Sequence, residues 1–172
     1  MDQTIILKES DFRHDKLSYS EGYLTNEEYL FKKELLNLEK SSPALVEAVT
    51  NTKGFLYNGT TKEYNTHAEL PECSKVIPDI NDKELFTLKK TQLLLETTRQ
   101  SVARVFTVTT NNGETFPILI NKEYAKMFEG FKLVTTATEM NSRTPVIVLD
   151  NNYNVVGLVM PIVNHVFQGV TI

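Results

Sequence analysis

The chain has 172 residues, 41% of them hydrophobic and 23% charged, with a net charge of −4 and a single cysteine. That balance excludes disorder over the whole length, an internal disulfide or a thiolate zinc site built on Cys73 alone, and a strongly basic nucleic-acid binder. No apolar run approaches the roughly 18 residues of a membrane span, and the Met1-Asp2-Gln3-Thr4 start has no signal-peptide character, so the expected location is the cytoplasm.

In chain order, Thr4 to Leu7 is a candidate edge strand followed by a loop. The best-marked helix start comes next. Thr25 is placed as N-cap, Glu28 completes a capping box, and Leu24 and Tyr29 are spaced as a hydrophobic staple. Tyr29, Leu30, Phe31, Leu35, Leu36 and Leu38 then predict an apolar helix face running to about Lys40. Residues 1–42 are therefore expected to form an N-terminal arm carrying one helix. Ser41-Ser42-Pro43 opens a second, short helix lined by Ala44, Leu45, Ala48 and Val49.

Asn58-Gly59 predicts a two-residue hairpin turn between 54–57 and 60–64. The segment His67-Ala-Glu69-Leu-Pro71-Glu-Cys73 has the His-x-Glu of zinc deaminases, but it lacks their second cysteine and its Pro and Cys follow too soon. It reads as a polar loop with no metal. Asp82 can cap a helix from Lys83 with Leu85, Leu88 and Leu95 roughly on one side, while Gln92 to Thr98 suits a strand equally well; residues 83–100 stay open between helix and strand.

From Val102 the pattern predicts a strand, with Val102, Val105, Thr107 and Thr109 to one side and Phe106 and Val108 to the other. Asn111-Asn112-Gly113 turns it into a return strand, Thr115 to Ile120, where Pro117 marks a sheet edge. Asn121 caps a helix bearing Tyr124, Met127 and Phe128, with Gly130 placed to end it. A weakly alternating strand covers Phe131 to Thr138. Val146 to Leu149 and Val155 to Met160 then form a hairpin about Asp150, Asn151, Asn152 and Asn154, with pairing expected to fail at or after Met160 because Pro161 has no amide hydrogen. Val163 to Ile172 is a short apolar tail that packs back, swaps onto a neighbour, or frays.

Phe116-Pro-Ile-Leu-Ile-Asn-Lys-Glu-Tyr-Ala-Lys-Met-Phe128, Thr144-Pro-Val-Ile-Val148 and Val156-Gly-Leu-Val-Met-Pro-Ile162 together resemble the last domain of bacterial sliding clamps. The matching positions are Asn121 and Tyr124, Pro145 and Val146, and Val159, Met160 and Pro161, and the resemblance covers roughly residues 102–162. It implies an α+β fold, an antiparallel sheet with helices packed on one face, in a single clamp-like domain at 43–162 beyond the arm. It also implies work beside the DNA replication machinery, with Val159, Met160, Pro161 and Ile162 lining a pocket for short peptides of partner proteins. A flexible methionine at a strand end suits such a groove. Lys122 and Lys126 are offset by Glu123 and Glu129, and one domain is too little for a ring, so protein partners are expected ahead of DNA encirclement. Direct DNA binding and homo-oligomer formation are left open.

No Gly-rich phosphate loop, nucleophile elbow or metal-spaced His pair is present in the sequence. The expectation is a non-enzymatic protein-binding module of replication, of a kind that phage and mobile-element genomes carry, with no cofactor. Two alternatives stand beside it. One is an inhibitor or interaction protein that binds a host protein through Leu30, Phe31 and Leu35 of the arm. The other is an enzyme with an unrecognised site, where His165 or His67 would join carboxylates; His14, His67 and His165 are isolated in the sequence.

Overall fold

Short β-branched and aromatic runs separated by Asn, Asp and Gly dominate the chain, and strands dominate the fold. A computed structural model describes residues 3–97, 101–140 and 142–163. Among them are twelve strands and three short helices, α1 (Glu9–Phe12), α2 (Pro43–Asn51) and α3 (Lys122–Met127). This corrects the expected α+β fold. The helices are too few and too short to form a layer on one sheet face, and the N-terminal helical arm is not formed. Among the described residues no helix is long and apolar enough to cross a membrane. The chain divides into two compact units, Met1–Pro78 and Asp79–Ile172.

The first unit contains β1 (Lys16–Ser20), β2 (Tyr23–Thr25), β3 (Tyr29–Lys32), β4 (Phe55–Asn58) and β5 (Glu63–Asn65). They pair antiparallel in the order β5-β4-β1-β2-β3. The residues expected to cap a helix at Thr25 make a tight turn instead. Glu27 has φ of +76°, a left-handed backbone that a helix start does not take. The Thr25 hydroxyl accepts from Glu27 N–H at 3.0 Å and donates to the Tyr29 carbonyl at 2.6 Å. The Asn26 side chain accepts from the Glu28 and Tyr29 N–H groups, each at 2.9 Å. Such side-chain bonds serve caps and turns alike, and here the apolar run after them decides. Tyr29, Leu30 and Phe31 are consecutive and all buried, which a strand covered on both sides accommodates and an amphipathic helix does not.

Elsewhere in this unit the local signals hold. α2 starts at Pro43, with the Ser42 hydroxyl accepting from Leu45 N–H at 3.4 Å, and it buries Leu45 and Val49. Ile5, in the expected edge strand, forms a single parallel bridge to Leu36 and is fully buried. The β4–β5 hairpin forms, but its loop has four residues, 59–62, with Lys62 in the left-handed region at φ +61°. Gly59 is needed for proximity: a Cβ there would lie 2.4 Å from the His14 carbonyl carbon and 2.7 Å from the Asp15 nitrogen. Around this hairpin the aromatic rings interlock. Phe12 meets Tyr57 edge-on at 5.2 Å, and Tyr64 lies 5.0 Å from Phe55 and 4.9 Å from Tyr57.

The second unit contains β6 (Phe86–Thr87), β7 (Lys89–Glu96), β8 (Val102–Thr109), β9 (Thr115–Asn121), β10 (Lys132–Thr135), β11 (Val146–Leu149) and β12 (Val155–Val159). Antiparallel pairing gives the order β12-β11-β10-β6, and separately β7-β8-β9. The open choice for 83–100 resolves to strand over β6 and β7, with residues 98–100 outside the described residues: Asp82 sits at φ +63° rather than capping a helix, and β7 pairs with β8. Pro117 lies in β9, an edge strand of its sheet, as its missing N–H predicts. Asn121 caps α3 by accepting from Glu123 N–H at 2.9 Å. The helix closes at Phe128, before Gly130. β12 ends at Val159, so regular pairing stops before Met160.

β8 and β9 pair without interruption from Ala103↔Asn121 to Thr109↔Thr115. Alternation along them puts Ala103, Val105, Thr107 and Thr109 on one face with Leu119, Pro117 and Thr115, and Val102, Phe106 and Val108 on the other with Phe116, Ile118 and Ile120. Val102 therefore shares the face of Phe106, not that of Val105. Phe106, Val108, Phe116, Ile118 and Ile120 are all buried, and this is the core face.

Candidate functional site

The face of β7-β8-β9 opposite the core changes character along its length. At one end Ala103 and Leu119 are buried under Leu95 and Ile162. Ile162 comes from the segment after β12, and its N–H donates to the Leu119 carbonyl at 2.8 Å. Because Leu119 and Pro117 are two residues apart, their backbone groups point the same way, outward from β8. The chain after Pro161 thus lies along the outer edge of β9 and folds its own isoleucine over that end of the sheet.

Among the described residues this cover does not extend past Leu119. Thr91, Leu93, Val105, Thr107, Thr115, Pro117 and Met140 are among the residues that line a groove of about 430 Å³. Leu93 and Met140 are 55% and 41% exposed, a large apolar area to present to water in the lining of one groove. A bulge in β7 sets Leu93 there. Its register shifts between Lys90 and Leu94, the Thr91 hydroxyl donates to the Val105 carbonyl at 2.7 Å, and Leu93 N–H donates back to that hydroxyl at 3.1 Å. Bulges re-aim side chains in this way. The groove is apolar with a threonine rim and contains no acid, base or nucleophile of unusual reactivity.

The residues expected as a peptide pocket are divided. Val159 is fully buried, Met160 is 37% exposed, and Pro161 and Ile162 are half-buried. Ile162 belongs to the covered end of the outer face described above. Leu30 and Phe31 are buried in β3 and Leu35 is half-buried in a single 3-10 turn, so no projecting helix displays them. His14, His67 and Glu69 are exposed, and Cys73 is buried, which pushes its thiol pKa up. Among the described residues no three His, Cys, Asp or Glu side chains gather as metal ligands. His165 and the apolar tail from residue 164 onward lie outside the described residues.

Sequence reasoning did not single out Leu93 or Met140. The Leu93-Leu94-Leu95 run fitted a helix and a strand equally, and a bulge leaves no periodic mark of its own. No family model matches the chain, and no curated protein or solved structure matches it either.

Proposed function

We propose that the chain is a non-enzymatic protein-binding module that takes an extended apolar peptide over the outer face of β7-β8-β9. One observation carries this reading. Among the described residues, Ile162 packs over one end of that face, and beyond it lies an apolar groove lined in part by exposed Leu93 and Met140. A peptide whose apolar side chain continues the line of Ile162 would bury the remainder, and the flexible methionine lets the groove adapt. The run of strand, Asn-capped helix, strand and hairpin over 115–159 makes the peptides that polymerases present to sliding clamps the first class to test.

The test is a fluorescence-anisotropy titration with a short labelled peptide of that class against the wild-type chain, Leu93→Asp and Met160→Asp. Saturable binding weakened more than about tenfold by Leu93→Asp supports the groove. Loss with Met160→Asp alone moves the site to the end of β12. No saturation up to about millimolar peptide, weaker than roughly −4 kcal/mol, removes this peptide class.

A further inference from the structure

The sequence contains two Asn-Gly pairs, Asn58-Gly59 and Asn112-Gly113. Both lie at hairpin turns, yet their surroundings are opposite. We propose that Asn112 is a site of spontaneous deamidation and isomerisation, and that the fold protects Asn58 from the same reaction.

The chemistry needs no cofactor. The Gly113 amide nitrogen, its proton lost to hydroxide, attacks Cγ of Asn112. The new C–N bond closes a five-membered succinimide as the Cγ–Nδ2 bond breaks and ammonia leaves. Water then opens the ring at either carbonyl, giving aspartate or isoaspartate. The step requires the Asn side chain to swing over the next nitrogen, so it is fastest before a residue without a side chain and where the backbone is free to rotate.

Gly113 meets both needs. Asn112 and Gly113 are exposed, Gly113 takes φ of +85°, and nothing lies within 4 Å of where its Cβ would be. The turn is held by Thr110 N–H to the Glu114 carbonyl at 2.8 Å, Gly113 N–H to the Thr110 carbonyl at 3.0 Å, Glu114 N–H to Asn112 Oδ1 at 3.3 Å, the Thr110 hydroxyl to that same oxygen and to the Glu114 carbonyl, and the Asn111 amide to the Glu84 carboxylate. Local opening of an exposed turn breaks such bonds at low cost. Asn58 is held differently. It is paired with both Lys16 and Glu63 across two neighbouring strands, its side chain accepts from Thr60 N–H at 2.8 Å, and Gly59 is buried against the His14 and Asp15 backbone. Rotation there would drive the glycine into that backbone.

The product matters to its surroundings. Isoaspartate adds one atom to the backbone of the turn that sets the Thr109↔Thr115 register, where the two threonine hydroxyls are 2.9 Å apart. Either product adds a negative charge beside Glu84 and Lys83, which line a cavity with Asn111 and Asn112.

The experiment is a time course of the full folded chain at mildly alkaline pH, read by peptide mapping and mass spectrometry. The peptide bearing Asn112 should gain about one dalton and split into two chromatographic forms, at least about tenfold faster than the peptide bearing Asn58. In denaturant both peptides should convert at similar rates, since the protection is structural. Asn112→Gln, whose ring closure is slower, should remove the acidic charge variant from the folded chain. Conversion of Asn58 as fast as Asn112 in the folded chain, or an unchanged Asn112 there, overturns the proposal.

Discussion

The two units handle their apolar surface in opposite ways. In the first, Phe12, Tyr19, Phe55 and Tyr57 are buried together about the β1–β4 pairing, with Phe12 edge-on to Tyr57 at 5.2 Å and Tyr19 tilted against Phe55 at 5.6 Å. In the second, the core face of β8 and β9 is closed, while on the opposite face the described residues cover one end and leave a groove beyond it. A closed aromatic core contributes stability and little else. An apolar groove contributes no stability until something covers it.

That contrast can be broken or sharpened by substitution. The largest effect should come from Phe55→Ala, which removes a fully buried ring touching both Tyr19 and Tyr64. Unfolding in denaturant, followed by a probe in the first unit, should show a loss of about 3–5 kcal/mol. A loss below about 1 kcal/mol would mean that this core is not the closed cluster described. Leu93→Asp should behave in the reverse sense, costing the peptide affinity stated above while leaving the unfolding midpoint within about 0.5 kcal/mol of wild type. Asn121→Ala removes the side-chain acceptor for Glu123 N–H at the start of α3. It should destabilise the second unit by about 1 kcal/mol, with the first unit unaffected.

The smallest effect concerns alkaline pH. Desolvation, then the neighbouring Tyr57 and Glu9, push the Tyr64 hydroxyl from 10.0 up to about 12. The unfolded chain releases this proton first, so between those values the folded state binds more protons than the unfolded one. Stability from this group is therefore intact below pH about 10 and is lost as pH rises toward about 12. Tyr64 is half-buried, so solvent screening keeps the loss modest. Melting temperatures of wild type and Tyr64→Phe should diverge across that window and coincide below it.

The same physics explains what was legible in the sequence. Signals that depend on one residue type in one geometry were readable: the Ser42 and Asn121 caps, Pro117 at a sheet edge, and the Val146–Leu149 and Val155–Val159 hairpin. The Thr25 segment reads as helical in the sequence because Thr, Asn and Glu make the same short bonds in a turn as in a cap. What decides between them is whether Tyr29-Leu30-Phe31 finds cover on both sides, and that is tertiary information. The groove was hidden for a related reason. It is formed by Met140 lying far in sequence from Leu93, and by a bulge that the Leu93-Leu94-Leu95 run does not announce.

The bulge in β7 has one more consequence. A sheet with bare edges invites other strands to join it and is a seed for aggregation. Here β7 carries exposed Lys89 and Lys90 beside its irregular register, and β9 offers an outer edge where Pro117 has no N–H and Ile162 already occupies Leu119. Neither border is an easy template for endless strand addition. The sheet can therefore keep a sticky face without becoming the nucleus of a fibre, and selection among visitors falls to the shape of their side chains rather than to their backbones.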